Sequence, residues 1–402
     1  MLGPASIVCF VFAAVLCFLI ALCFAEAGSR LSGTGGPYVY SRETLGAFMG
    51  FEVGWMTWWV RVISWAALAN AFSMALANIT PPLQGPLAQK TVVTGIVILL
   101  AAVNIRGVKT GAGLTNFFTV AKLLPLAVFL SVGVFFVNVQ RFTPFAPQGF
   151  GAFGETTMVI LWAFVGFEVL TIPAGEMKDP LRVVPRALVV VMTVVTVVYL
   201  GVHAVAIGTL DGLAGSQNPI AESARAFLGD FGGGLIAVGI VLSIFGTNAG
   251  SALTAPRCLF ALAEKGQLPA PLARIHPTYK TPWVAILLTA AMTLTLALSG
   301  SFEQLIVISV VARFVQYIPT CIAVLVLRHR ERMQKSPAPA RIRLPLGPLV
   351  PLISIVLCIW LLTQVDRWKL AAGAGAFVLG VPFYFCFRRD TSNGRGRMTP
   401  DA

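Results

Sequence analysis

Charged residues are scarce in this chain. Only 11% of its 402 residues are Asp, Glu, Lys or Arg and 57% are hydrophobic, whereas about 25% of the residues in an average soluble domain are charged. The longest stretches outside apolar segments are residues 28–46, 211–230, 264–281 and 328–343, and none is long enough for a soluble domain. The composition excludes an ordinary soluble protein, and we interpret residues 1–402 as a single polytopic membrane domain.

The histidines and cysteines of this chain do not occur at the spacings typical of catalytic or metal-binding sites. The histidines His203, His276 and His329 are isolated, and the seven cysteines show no paired spacing typical of zinc, a redox motif or a disulfide framework. No nucleophile with a base, and no pair of metal ligands, lies at helical spacing within an apolar segment. The sequence therefore indicates neither an enzyme nor a metal site, and it implies no cofactor.

Long apolar segments dominate the chain instead. A helix needs about 20 mostly apolar residues to cross about 30 Å of hydrocarbon. Segments of this kind cover residues 4–25, 47–77, 86–105, 114–137, 153–175, 184–210, 231–263, 282–298, 302–327, 344–362 and 370–387. They are continuously apolar, unlike barrel strands, which alternate over about 10 residues. The sequence therefore predicts an all-α membrane protein with eleven transmembrane helices.

Lysine and arginine are concentrated in alternate connections between these segments. Residues 106–109, 178–186, 257–280 and 328–343 are rich in them, and the intervening connections hold few. Because positive residues favour the cytoplasmic side of a membrane, we predict a cell-membrane protein with a cytoplasmic C-terminus. The net charge of +13 then reflects topology and contact with anionic membrane lipids rather than a nucleic-acid surface.

The segment at residues 153–175 contains residues that lipid disfavours, namely Gly166, Glu168, Pro173 and Gly175. A span that unwinds in the bilayer must be buried in protein or line a cavity, because its backbone groups need partners. At a rise of 1.5 Å per residue, Gly166 lies close to the membrane midplane, where transporters bind small charged solutes at interrupted helices. We predict an unwound, solute-binding stretch here. A kinked structural helix with Glu168 in the cytoplasmic boundary layer is the alternative.

Three stretches together resemble a known family. They read ALCFAEAGSRLSGTGGPYVYSRETLGAFMGFEVGWMTWW, LWAFVGFEVLTIPAGEMKDPLRVVPRAL and GTNAGSALTAPRCLFALAEKGQLPAPLARIHPTYKTP, and in this order they resemble amino acid permeases of the amino acid, polyamine and organocation superfamily. The resemblance implies a five-plus-five inverted-repeat fold followed by two C-terminal helices. It also implies secondary active transport of an amino acid or related amine by alternating access, either proton-coupled or by exchange.

The resemblance gives roles to residues of the interrupted segment. Trp162 is similar to the aromatic residue that caps bound substrate, with a packing role as its alternative. Phe164, Val165, Gly166 and Phe167 correspond to the unwound stretch that receives the polar end of the substrate. These five residues are the predicted centre of the binding site.

Five further residues complete the predicted site. Asn248 matches a pocket-facing place on the family's eighth helix, Glu168 resembles the acid that gates or senses protons, and Lys122 resembles the lysine of proton-coupled members. Lys122 lies about 12 Å into the hydrocarbon core, so snorkelling to the interface is its alternative role. Arg61 and Arg313 also lie within spans, and we expect structural pairing with carboxylates, ahead of direct substrate contact.

Other functions remain compatible with the sequence. The eleven segments correspond to family helices two to twelve, and the family's first helix has no match, since residues 1–4 already correspond to the start of the second. An N-terminally truncated, non-transporting relic, or an amino acid sensor with the same fold, is therefore an alternative. A passive channel formed by an oligomer is another, and dependence of flux on a gradient separates it from a carrier. The oligomeric state is not specified.

Overall fold

The computed structural model describes residues 2–31, 35–107, 123–172, 174, 177–216, 218–333, 341–344 and 346–387. Over these residues the chain is helical and contains no strand. The helices are α1 Ser6–Gly28, α2 Pro37–Leu45, α3 Ala47–Ile79, α4 Pro86–Arg106, α5 Leu123–Phe136, α6 Phe153–Phe164, α7 Pro180–Thr209, α8 Pro219–Glu264, α9 Trp283–Ser299, α10 Phe302–Arg332, α11 Leu349–Leu362 and α12 Arg367–Phe387. The predicted all-α class is confirmed.

The apolar segments of the sequence correspond to the helices of the structure. Within the described residues, eight helical segments are long and apolar enough to cross a membrane, and three shorter apolar helices accompany them. The shorter ones are α5, α9 and α11. The predicted multi-pass membrane protein is therefore confirmed, although the predicted start of α5 at residue 114 lies outside the described residues.

Helix boundaries differ from the prediction in several places. Helix α2 was not predicted, because its sequence PYVYSRETL is too polar and short to span; it begins at Pro37, a residue suited to the first helical turn. Helix α8 starts at Pro219 rather than at residue 231 and bends at Gly229, whose φ of 68° and ψ of −166° are not helical. Helix α11 starts at Leu349 rather than at residue 344.

Helices α3 and α10 form the centre of the bundle and are the most buried spans. Their inward faces carry polar residues that lipid would disfavour, including Arg61 and Ser64 on α3 and Ser309 and Arg313 on α10. Helices α7 and α12 bury much less of their length, and their Lys and Arg residues lie near their starts. The distribution follows from solvation, because a charged side chain in a span must face protein rather than lipid.

The interruption predicted in the fifth apolar segment is present. Helix α6 ends at Phe164, Val165 is extended (φ −78°, ψ 161°), and Gly166 is left-handed (φ 111°, ψ −10°). A single 3-10 turn, Phe167–Thr171, follows. Only glycine adopts a φ of this kind without a steric cost from Cβ, and apart from its chain neighbours no atom of the described residues lies within 4 Å of where a Cβ on Gly166 would stand. The backbone therefore breaks beside open space.

Candidate functional site

The break in α6 is held by the glutamate that follows it. The backbone N–H of Gly166 donates to Oε2 of Glu168 at 2.9 Å, and the N–H of Val169 donates to the carbonyl of Gly166 at 3.2 Å. The Glu168 side chain is completely buried. A carboxylate thus takes the N–H that the broken helix leaves unpaired, which fixes the shape of the turn.

Glu168 is also the meeting point of α3 and α10. Its Oε1 lies 3.8 Å from Arg61 Nη2 and 3.5 Å from Arg313 Nε, while its Oε2 accepts a hydrogen bond from the Tyr317 hydroxyl at 3.1 Å. Arg61 and Arg313 are at most 6% exposed. Burial of a carboxylate is costly unless it is paired, so these contacts explain how Glu168 is tolerated at this depth.

Two serines extend this network between α3 and α10. Arg313 Nη2 donates to Ser64 Oγ at 3.1 Å, and the Ser64 and Ser309 hydroxyls are 2.7 Å apart. These residues, Glu168 and the side-chain partners of Glu168 form a connected group of six, which we call the central polar cluster. They are Arg61, Ser64, Glu168, Ser309, Arg313 and Tyr317. The cluster joins the break to the two most buried helices.

The central polar cluster is not balanced in charge or in hydrogen bonds. Two guanidinium groups share one carboxylate. Arg61 Nε, Arg61 Nη2 and Arg313 Nη1 are buried and have no hydrogen-bond partner among the described residues. Neither polar atom of Gln316, one turn along α10 from Arg313, has one either. Buried donors are normally satisfied, so this set marks a place where another polar group fits.

The aromatic residues of the predicted site point in different directions. Trp162 is half-buried and lies edge-on to Phe302 at 5.6 Å between ring centroids. Phe164 packs against Phe10 of α1 and Tyr199 of α7. Phe164 therefore offers its backbone rather than its ring to a site at the break.

Phe167 instead lies against the central polar cluster. Its ring stacks on Tyr317 at 5.5 Å and meets Phe24 edge-on at 5.7 Å. Val165, between the two phenylalanines, is half-buried and extended. Phe167 thus stacks on the ring whose hydroxyl donates to Glu168, and its side chain is an apolar neighbour of the cluster.

Asn248 connects α8 to α3 through a hydrogen bond on the face of α3 that carries Arg61. Its Nδ2 donates to the carbonyls of Leu68 at 2.9 Å and Ile244 at 3.1 Å. Its Oδ1 is buried and has no partner among the described residues. Leu68 lies two helical turns after Arg61, so both are on one face of α3. Lys122, also predicted, lies outside the described residues.

The sequence analysis named Arg61, Glu168 and Arg313 but missed the other members of the cluster, Ser64, Ser309 and Tyr317, and the nearby Gln316. Ser309, Arg313, Gln316 and Tyr317 recur at spacings of three and four residues and so share one face of α10. Ser64 follows Arg61 by three residues on α3. A count of polar residues at helical spacing inside each apolar segment would have found them, since a polar stripe in a span marks a face turned to protein.

A cavity of about 870 Å³ opens at one end of the bundle. It is bounded where α1, α6, α10 and α12 begin, and Glu155, Met158, Glu303 and Val307 line it. Val307 is six residues, or about 9 Å along the helix, from Arg313. The cavity therefore reaches towards the central polar cluster from this end.

Ion pairs connect the helices at the opposite end. Glu26, fully buried at the end of α1, accepts from Arg30 at 2.9 Å and Arg328 at 2.8 Å, and from the backbone N–H of Leu344 at 3.0 Å. Glu331 pairs with Arg30 at 2.8 Å. We call Glu26, Arg30, Arg328 and Glu331 the inner ionic network, because they lie at the end of the bundle that the distribution of Lys and Arg predicts to be cytoplasmic. It ties α1 to the end of α10.

Comparison with known proteins gives a consistent result. A sequence model described as amino acid permease matches residues 1–375. The chain is 31% identical over 385 residues to the serine/threonine exchanger SteT of Bacillus subtilis, covering 92% of this chain and 85% of that protein. It is 27% identical to the methylthioribose transporter and 25% identical to the branched-chain amino acid permease BcaP of the same bacterium, in each case over 97% of this chain and 87% of the relative.

Proposed function

Because the chain belongs to the amino acid permease family, we propose that it carries an amino acid or related amine across the cell membrane by alternating access. It is a multi-pass membrane transporter of the family's all-α fold and not an enzyme. The proposal concerns the substrate, the site and the mode of transport.

The interruption at Val165 and Gly166 is the observation that carries the proposal. Irregular backbone at membrane depth persists only where protein or a cavity surrounds it, and Gly166 faces open space. The ends of a broken helix present N–H and C=O groups to a charged solute. The backbone from Phe164 to Phe167 would hold the polar end of the substrate, with Trp162 and Asn248 as further contacts.

The two ends of the bundle support alternating access. The cavity of about 870 Å³ lies at the end where α6 and α10 begin, and the inner ionic network connects the helices at the other end. With the C-terminus in the cytoplasm, as the distribution of Lys and Arg favours, the open end faces outward. Transport would then require the contacts of Glu26 with Arg328 to separate while the outer cavity closes.

Two modes of coupling are compatible with these residues and with the relatives. SteT, which is 31% identical, is a serine/threonine exchanger, and this supports exchange. Glu168 would act as a gate, because it links the broken helix to Arg61 and Arg313 and must follow any movement of α6 against α3 and α10. Proton coupling through Lys122 is the second mode, and a pH step distinguishes it from exchange.

Uptake into proteoliposomes tests the proposal. Purified protein would be reconstituted with and without an internal amino acid pool, and uptake of labelled amino acids measured with and without a pH step. We expect uptake that depends on the internal pool, on the pH step or on both. Uptake indifferent to both would indicate a channel, and no uptake of any amino acid would favour a sensor or a relic.

A glycine substitution links that assay to the break. Gly166→Ala places a Cβ on a residue with φ of 111°, at a cost of about 1–3 kcal/mol if the backbone is kept, and we expect loss of uptake. The matched control is Gly95→Ala, in regular helix α4 with no atom within 4 Å of the new Cβ. Equal uptake by both variants would contradict a role for the break.

A further inference from the structure

The central polar cluster carries a surplus positive charge in a buried place. Arg61 and Arg313 face the single carboxylate of Glu168. The other acids on the same helices are remote along the chain, since Glu52 precedes Arg61 by about 14 Å and Glu303 precedes Arg313 by about 15 Å of helix. No second carboxylate among the described residues forms an ion pair with either arginine.

The surplus charge comes with unused hydrogen-bond donors. Arg313 gives Nε to Glu168 and Nη2 to Ser64, which leaves Nη1. Arg61 keeps Nε and Nη2 without hydrogen-bond partners among the described residues, although its guanidinium also contacts the Cys258 thiol. Guanidinium groups bind carboxylates through parallel N–H donors. The group that these free donors can still bind is therefore a pair of anionic oxygens, as in a carboxylate.

We propose that the central polar cluster selects substrates of net negative charge, with Arg61 and Arg313 receiving a second carboxylate besides the α-carboxylate. This rests on the proposed function, in which the α-amino and α-carboxyl groups bind backbone at the break. A zwitterionic amino acid leaves the net charge of +1 uncompensated, whereas a dicarboxylic amino acid brings the site to neutrality. A cationic amino acid raises the buried charge to +2, which a medium of low dielectric constant disfavours strongly.

Acidic amino acids and their amides provide the discriminating probes. Glutamate and glutamine have nearly the same shape, and so do aspartate and asparagine, so each pair differs mainly in charge. Labelled glutamate and glutamine would be offered to proteoliposomes preloaded with either compound, with lysine as a further competitor. Loss of charge-assisted hydrogen bonds costs about 1.5–3 kcal/mol, so we expect glutamine to compete about 10- to 100-fold more weakly than glutamate.

Two substitutions at Arg61 separate charge from shape. Arg61→Gln leaves one guanidinium opposite Glu168 and removes the surplus charge, so we expect the ratio of glutamate affinity to glutamine affinity to fall to within a few-fold. Arg61→Lys keeps the charge and loses the planar fork, so a reduced preference for glutamate should remain. A preference unchanged in Arg61→Gln would overturn the proposal.

Measuring how a ligand changes the protein's thermal stability tests the binding site without requiring transport. Detergent-purified protein would be melted with glutamate or glutamine, because a ligand stabilises the folded state according to its affinity. Stabilisation by glutamate alone, with no uptake, would support the site and refute transport. Uptake of glutamine at least as efficient as that of glutamate would refute the site and leave transport intact. Chloride-dependent uptake of neutral amino acids would also overturn the proposal, since an inorganic anion would then occupy the surplus charge.

Discussion

Replacing Glu168 by glutamine should destabilise the protein severely. Every partner of the carboxylate is a donor in this structure: Gly166 N–H and the Tyr317 hydroxyl at Oε2, and the two arginines at Oε1. A glutamine amide accepts through one oxygen only, so its NH₂ group would face donors on the other side. Both guanidinium groups would also lose their one counter-charge.

The expected loss is about 3–5 kcal/mol of unfolding free energy, the range for breaking a buried ion pair from one side. Glu52→Gln is the matched control. Glu52 is equally buried, yet neither of its oxygens has a hydrogen-bond partner among the described residues. Removing that carboxyl group breaks no ion pair, so we expect an effect near zero.

Buried cysteines provide the assay. Cys9, Cys17, Cys23, Cys321 and Cys358 are buried, so a thiol-reactive dye added to detergent-solubilised protein reports their exposure as the protein melts. Glu168→Gln should lower the melting temperature clearly, and Glu52→Gln should not. Adding Arg61→Gln to Glu168→Gln should recover part of the loss, because it removes one unpaired charge. Equal melting of Glu168→Gln and the parent would refute the ion-paired cluster.

Three further predictions concern other parts of the molecule. Glu26→Gln should weaken the inner ionic network, and labelling of Cys23 by a membrane-impermeant maleimide from the inner side should increase in vesicles; an unchanged rate would contradict the network as a closure. Trp162→Ala should raise the KM for uptake several-fold through loss of an aromatic contact, whereas Trp360→Ala, a packing residue on α11 against Phe12 and Phe153, should leave KM unchanged; equal effects would make Trp162 a packing residue too. Lys122→Ala should abolish any uptake driven by a pH step while sparing exchange, with Lys90→Ala as the control; persistence of pH-driven uptake would rule out Lys122 as the coupling residue.

The sequence was sufficient for the class of fold because membrane insertion imposes a local rule. Each span must be apolar over about 20 residues, so segments can be read one at a time, and their helices appear where they were expected. Helix α2 was not predicted because it is a short polar helix that packs on α3, and the rule for spans does not apply to it. The start of α8 at Pro219 lies outside the predicted apolar segment for the same reason.

The break in α6 could also be predicted from the sequence, because Gly166 and Glu168 are residues that an apolar span normally lacks. Their partners could not be. Arg61, Arg313 and Tyr317 come from positions 107 residues before and 145 to 149 residues after Glu168, and no local pattern states which acid they face. Glu52, Glu168 and Glu303 were equal candidates in the sequence.

Composition and apolar periodicity by themselves determined that this chain is a helical membrane protein with one interrupted span. Only the packing of α3 and α10 around that span decided that two arginines share one buried carboxylate and keep donors to spare. The physical reason is the distance along the chain over which each effect acts. Hydropathy acts on each segment separately, whereas the balance of charge at a site depends on which side chains from distant segments are brought within a few ångströms of each other.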